Sequence, residues 1–368
     1  MMAINGYKVM PNYATVPGET LREVITDRQM TQKELASRLD ITPKHVSNII
    51  NGEVQLTPET AKKLEFVFDV NASFWNSLEK NYQEYKQNKA SEQKLKEQEI
   101  ILKSYPVKEL EEKNFIEKSN TAVEKVNNLL KFFGFVSFDA LKAYTDNDAN
   151  FAGAYRLAVN SGQKVDNNAL IAWIRKGDIE ASNIDTDPFS KEDAEASIMT
   201  LRSLTKEIDP QSFIPKLQKI CASFGVAIVF VPEIKGSKVC GMTRWSSNPQ
   251  KAIIQLSLRY KTNDVLWFTF FHELAHILKH KKEPFITTQK YRVSEVEKEA
   301  DNFAASVLLP PDKYGDFIKE NDFSKSSIVK FARIMEVHPG IVVGRLQKEG
   351  YIEYYQFNDL KVRYEWKL

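Results

Sequence analysis

The feature that most constrains this chain is His272-Glu273-Leu274-Ala275-His276, set within a run of apolar residues. Four residues of α-helix turn about 400°, which leaves the two imidazoles about 40° apart on one face and one turn apart in height. That spacing suits two nitrogen ligands on one tetrahedral zinc. It also puts the Glu273 carboxylate beside them, where it takes a proton from the attacking water instead of binding metal. Val265, Leu266, Trp267, Phe268, Phe270, Phe271, Ile277 and Leu278 make the predicted helix, residues 264–279, apolar nearly all round and therefore buried. Imidazoles and a carboxylate inside such a helix need partners, which a metal supplies; a pair of ordinary hydrogen-bonded core histidines is the plainer alternative.

A catalytic zinc takes three protein ligands and keeps a fourth position open. The third is sought in a second predicted helix, residues 294–309, which is stopped by Pro310 and Pro311. With Glu297 at zero on a helical wheel, Asp301 falls at about 40°, Ala304 at about 340° and Leu308 at about 20°. Glu297 thus shares the small-residue, inward face and is the better third ligand, with Asp301 one turn on as the carboxylate that orients a ligand histidine. Glu299, at about 200°, shares a face with Asn302 and Ser306; it is expected to be solvated and is the alternative ligand. A continuous helix carries His280 a turn too far to share the metal, so it is expected as a cation at the helix C-terminus. His338 falls in a C-terminal helix without a visible partner, and Cys221 and Cys240 lack ligand spacing and are expected as buried apolar residues.

At the other end of the chain, Thr31-Gln32-Lys33-Glu34 has the pattern of a capping box, with the Thr31 oxygen on the Glu34 N–H and the Glu34 carboxylate reaching back. Leu35, Ala36 and Leu39 fall on one face of the helix it starts. Asp40 and Ile41 make a tight turn, Thr42 caps a second helix and Pro43 takes its first position. Val46, Ile49 and Ile50 turn inward. Thr42, Lys44, His45, Ser47, Asn48 and Asn51 are left on the outer side. Two short helices with a polar outer face on the second have the geometry that enters a DNA major groove. Asn48 suits adenine, Lys44 suits a phosphate or guanine, and Gln32, at a helix N-terminus, suits a phosphate oxygen. The charge of the segment does not add to this, because acids outnumber its bases. Specific binding to operator DNA therefore calls for a homodimer through this domain. A helical bundle with a merely polar surface is the alternative.

Composition bounds the rest. The 368 residues carry 51 Lys+Arg against 49 Asp+Glu, so net charge argues for neither a nucleic acid nor a membrane surface. Two cysteines exclude a disulfide scaffold and fit a reducing cytoplasm. Residues 1–10 have no apolar signal core, and the longest apolar stretch, residues 220–231, is too short for a bilayer. The expected protein is cytoplasmic, with no membrane contact. Strands are expected at 226–231 and, as a hairpin or edge strand, at 251–258. Helices are expected at 122–133, 169–175, 191–204 and 213–224, and loops at 145–150 and 185–188. Residues 328–350 repeat faintly the helix, turn and helix of residues 32–52.

These residues carry two resemblances. From Pro17-Gly18-Glu19 to Trp75, through Thr31-Gln32-Lys33-Glu34-Leu35-Ala36, Ile49-Ile50-Asn51-Gly52 and Leu56-Thr57-Pro58-Glu59-Thr60-Ala61, the chain resembles the HigA-type antitoxin branch of the Cro/repressor-like helix-turn-helix family. Asp40 stands where that family usually has Gly, and Asp tolerates the left-handed conformation. The resemblance implies autoregulatory operator binding as a homodimer. From about residue 213 to Pro311, through Gly225-Val226, Ile254-Gln255-Leu256-Ser257, His272-Glu273-Leu274-Ala275-His276 and Glu299-Ala300-Asp301-Asn302-Phe303-Ala304, the chain is similar to the ImmA/IrrE metallopeptidases. That family implies a zinc peptidase that cleaves a helix-turn-helix repressor, with ligands on His272, His276 and Glu297 and the base on Glu273.

The expected fold is multidomain and mainly α. An all-α helix-turn-helix domain spans 1–85, and a charged spacer helix and helical connecting segment span 86–209. An α+β zincin-like peptidase domain spans 210–311 and a small helical tail 312–368. The expected function is a DNA-binding regulator carrying a zinc-dependent endopeptidase, acting on a regulatory protein or a toxin-like partner. The rival is a non-catalytic antitoxin and repressor that neutralises a toxin and autoregulates its operon. Residues 105–209 are assigned no chemistry.

Overall fold

The computed structural model describes residues 14–147, 165–280, 285–288 and 295–366. Residues 1–10, the end of the expected loop at 148–150 and Ser294 lie outside them. The chain divides into two compact units, Met1–Glu97 and Gln98–Leu368, a boundary that falls inside the expected segment 86–209.

The described residues of the first unit form helices only: α1 (Pro17–Asp27), α2 (Gln32–Leu39), α3 (Pro43–Ile50), α4 (Pro58–Phe68) and α5 (Ala72–Glu97). Local chemistry fixes most of the boundaries. Thr31, Thr42 and Thr57 each accept the N–H three residues on, at 3.1, 3.2 and 3.2 Å. Asp40 and Asp69 close α2 and α4 in the left-handed region at φ 53° and 52°. Only half of the expected box at Thr31 forms, because the Glu34 carboxylate turns to Arg38 at 2.7 Å, its i+4 partner. Leu21, Leu35, Val46, Ile50, Leu64 and Trp75 form the core. Gly18 lets α1 lie directly on the end of α3: a Cβ there stands 2.2 Å from the Ile49 carbonyl oxygen and 2.4 Å from that of Ile50.

The second unit begins with α6 (Glu99–Leu102), α7 (Val107–Glu112), α8 (Ala122–Phe133) and α9 (Phe138–Asn147). Thr145–Asn147, expected in a loop, thus complete a helix; Leu141 and Thr145, one turn apart, are both buried and hold it down. Next come α10 (Asn167–Ser182), α11 (Lys191–Ser203) and α12 (Pro210–Ala222). Among the described residues four strands follow, β1 (Val226–Phe230), β2 (Val239–Trp245), β3 (Ala252–Leu256) and β4 (Phe285–Thr288), in spatial order β1-β3-β2-β4. β1 and β3 are parallel, with Ile228 opposite Ile254, and β2 is antiparallel to both of its neighbours. Residues 251–258 do form a hairpin with β2, but β3 is an interior strand and not an edge.

Helix α13 (Asn263–Lys279) lies on one face of the sheet, where Thr243 of β2 donates to the Glu273 carbonyl at 3.0 Å. On the other face sits α10. Its Trp173 indole donates to Val231 O at 3.1 Å, Gln255 of β3 donates to Trp173 O at 2.7 Å, and Arg244 of β2 pairs with Asp178. The connecting segment is therefore the second cover of the sheet. Beyond α13 come α14 (Glu295–Leu308), α15 (Pro311–Glu320), α16 (Lys325–Ile334) and α17 (Pro339–Glu349). No helix among the described residues is long and apolar enough to cross a membrane.

Gly18→Ala is expected to destabilise the first unit by about 1–3 kcal/mol or more, because the obstructing atoms are backbone and cannot rotate away. Hydrogen exchange of α1–α4 in the wild-type and variant proteins, read by mass spectrometry at increasing denaturant, measures it.

Candidate metal centre

Helices α13 and α14 pack against each other, and each contributes its small or polar side chains at the contact. Ala300 and Ala304 of α14 are fully buried, as are His272 and Glu273 of α13, while His276 is 1% and Glu297 8% exposed. Among the described residues, His272, His276 and Glu297 bring ligand atoms within 4.8 Å of one another. His272 Nε2 lies 3.1 Å from His276 Nε2 and 3.2 Å from Glu297 Oε2, and His276 Nε2 lies 3.7 Å from Glu297 Oε1.

The size of that triangle is informative. Ligand atoms about 2.0–2.2 Å from a tetrahedral zinc are about 3.3–3.6 Å apart, close to the separation of the two imidazole nitrogens and to the nearest approach of each to the Glu297 carboxylate, His272 meeting Oε2 and His276 meeting Oε1. Two imidazole nitrogens and a carboxylate oxygen facing one another in an apolar interior also repel unless a cation or a proton lies between them. The donor set fits a divalent ion on both counts.

Outer contacts fix each ring. His272 Nδ1 lies 2.8 Å from Asp301 Oδ1, as the wheel expects, and His276 Nδ1 lies 2.9 Å from His280 Nδ1. His280 does close α13, with extended backbone at φ −111°, and its ring is buried and turned back onto His276. Glu299 is half exposed and pairs with Lys279 at 3.1 Å and with His280 at 3.4 Å, outside the triangle. Gly241 of β2 faces Glu273: a Cβ there stands 2.7 Å from Glu273 Oε1, so the carboxylate occupies space that any other residue would fill. The wheel brings out Asp301 but neither His280 nor Gly241, whose positions depend on how α13 ends and how β2 crosses it.

Without a metal, burial disfavours charge on His272, yet the Asp301 and Glu297 carboxylates outweigh it and raise its pKa to about 10. Burial, reinforced by the charge on His272, lowers that of His276 to about 2. In the metal-free site His272 therefore holds its proton more tightly than His276 does.

The other expected residues are placed as follows. Cys221 and Cys240 are buried with their thiol pKa values pushed up by burial, Cys240 to about 12, as expected of inert packing residues. His338 does have a partner: its ring caps α17 through the Gly340 N–H at 3.1 Å and meets the Asn263 amide at 2.9 Å. In the first unit, Gln32, Thr42, Lys44 and Asn51 are exposed, and His45, Ser47 and Asn48 are half buried. Thr42 is also engaged as the α3 cap, and Asn51 accepts from Arg22 at 3.1 Å.

Comparison with known proteins matches residues 21–75 to the helix-turn-helix family and residues 221–346 to the IrrE N-terminal-like domain, peptidase M78. The chain joins a helix-turn-helix regulator domain to a peptidase M78 domain. An HTH-type transcriptional regulator of Escherichia coli, YddM, is 30% identical over 63 residues, which are 17% of this chain and 67% of the relative. Two solved structures are also similar to part of this chain. PA4674 of Pseudomonas aeruginosa, crystallised with its operator DNA, is 26% identical over 21% of this chain and 85% of that one, with a TM-score of 0.21. An addiction module antidote protein of the HigA family from Coxiella burnetii is 31% identical over 23% and 91%, with a TM-score of 0.21. The M78 domain is that of a metallopeptidase-like enzyme, and its matched residues include the whole of the buried triangle.

An ion entering the triangle must displace the His272 proton. Metal binding to the M78 domain at neutral pH is expected to release about one proton. Affinity should fall about tenfold per pH unit on acidification from pH 9 to pH 6, since His276 is already neutral and adds no further competition. Titration calorimetry in buffers of different ionisation enthalpy counts the proton.

Proposed function

We propose that the protein is a DNA-binding regulator whose second unit hydrolyses a peptide bond in another regulatory protein, with zinc as the metal. The observation that carries the catalytic half is the buried His272–His276–Glu297 triangle with Glu273 beside it on the same helix. Two imidazoles, one carboxylate and an open position form the donor set of a hydrolytic zinc site. Bound there, the ion supplies Lewis acidity to the scissile carbonyl and to the water that attacks it.

The protein's own groups do the rest. Glu273 accepts the proton of the attacking water and passes it to the departing amine nitrogen, so the peptide bond breaks with no net proton consumed. Its backbone is held by Thr243 and its carboxylate has room opposite Gly241, so it acts from a fixed position. Asp301 keeps a proton on His272 Nδ1 and turns Nε2 toward the ion.

Glu273→Gln tests the chemistry, because glutamine keeps the shape and removes the base. Expressed in its own host, the wild-type protein is expected to create new protein N-termini that the variant does not, while both retain zinc. Labelling of free N-termini followed by mass spectrometry reads this whatever the substrate is. An identical set of termini from both proteins overturns the peptidase reading and leaves a non-catalytic antitoxin and repressor.

The helix-turn-helix match and the capped α2–α3 pair support operator binding by the first unit, as a homodimer on two half-sites. In this reading Asn48 meets a base edge, Lys44 and Gln32 meet phosphates, and His45, Ser47, Thr42 and Asn51 line the contact. Asn48→Ala is expected to cost about 1–3 kcal/mol and to relax the preference at one base pair, whereas Lys44→Gln weakens all sequences alike and lowers the salt slope by about one. Gel-shift assays on the promoter of its own gene at two salt concentrations separate the two effects.

A further inference from the structure

We propose that His280 and Glu299 form a second outer-sphere arm of the metal centre, in which His280 is the positioning residue for His276. The arm deepens the metal reading above and rests on it. His272 and His276 each need one ring nitrogen bare toward the ion, so the other must carry hydrogen and find an acceptor. For His272 that acceptor is Asp301. At His276 Nδ1 the corresponding place is taken by the ring of His280, at 2.9 Å.

The direction of the hydrogen bonds follows from that one requirement. With His276 Nε2 bare, its Nδ1–H donates, and His280 Nδ1 must accept. His280 then carries its hydrogen on Nε2, which points at Glu299 Oε2, 3.4 Å away. Glu299 is held in turn by Lys279 Nζ at 3.1 Å. Each group in the series donates to the next, and the terminal carboxylate polarises the intervening imidazole. The end of α13 makes this possible: extended backbone at His280 leaves its ring centroid 4.9 Å from that of His276, with its side chain only 7% exposed. On this arrangement α14 serves the site three times. Glu297 binds the ion, Asp301 orients one histidine directly, and Glu299 orients the other through His280.

Zinc affinity measured by competition with a chromophoric chelator, together with the visible spectrum of the cobalt-substituted full-length protein, tests the assignment. His280→Ala is expected to weaken zinc binding about 10–100-fold, comparably to Asp301→Asn, while leaving the cobalt band unchanged in position and intensity. His280→Asn, whose side-chain oxygen again accepts from His276 Nδ1, is expected to recover part of the loss. Glu299→Ala is expected to give a smaller loss of the same kind and keeps the test open if the His280 variants fold poorly. Unchanged affinity in all of these variants overturns the proposal, and so does an altered cobalt band in His280→Ala, which makes His280 a ligand. A wild-type protein that takes up neither ion overturns the metal reading itself.

Discussion

Two imidazole nitrogens and a carboxylate, with nearest approaches of 3.1 to 3.7 Å and buried between α13 and α14, cannot face one another without a positive charge between them. Much of the second unit follows from keeping that arrangement in place. α13 turns Thr269 and Glu273 toward Gly241 of the sheet and Asn263 and Asp264 toward α17, and α14 offers alanines where it must come close. The long fully buried side chains of α13, Trp267, Phe270 and Phe271, anchor it to the core at points away from the triangle. Rigidity at the site is thus supplied by apolar packing, and the polar groups are left to set direction and charge.

The sheet accounts for the fixed height of Glu273. Because β2 is antiparallel to both neighbours, it runs past α13 with Gly241 at the carboxylate and Thr243 at the carbonyl of the same residue. The strand can be held that firmly only if its other face is also covered. α10 does this with polar anchors, Arg244 to Asp178 and Gln255 to the Trp173 carbonyl, each of which ties a strand side chain to the covering helix. Arg244 is buried while Asp178 reaches solvent, so the pair adds little net stability over apolar packing, but losing Asp178 strands the buried guanidinium. Here it fixes register between α10 and β2, and hence the place of Gly241.

These dependencies explain how much of the molecule is legible in its sequence. Helices α2, α3, α8, α13 and α14 can be read because their caps or their periodicity lie within the segment itself. The triangle can be read for the same reason, since both of its halves sit on regular helices. β2 cannot, because Val239–Trp245 is buried on both faces and includes Arg244, so neither alternation nor an apolar run marks it. The sequence marks His280 as the end of α13 but not as part of the site. A helical wheel assumes that the helix goes on, and here the backbone turns at that residue.

The tail shows how far local pattern reaches. Residues 325–349 repeat the capped helix, turn and capped helix of residues 32–50, with Ser324 and His338 in the capping places. In α3 the second helix of the pair keeps a polar outer side. In α17, Gly340, Ile341, Val342, Val343, Leu346 and Gln347 are all buried, and Lys361 is drawn in to Asp264 and Gln347 at 2.7 Å. A helix enclosed in this way cannot enter a groove of DNA. The same local motif therefore serves two ends, and the apolar residues at its second helix decide which. Where they line one side only, the helix can meet a partner; where buried residues cover most of its circumference, as in α17, it becomes the support that holds the start of α13, and through it the metal ligands, in position.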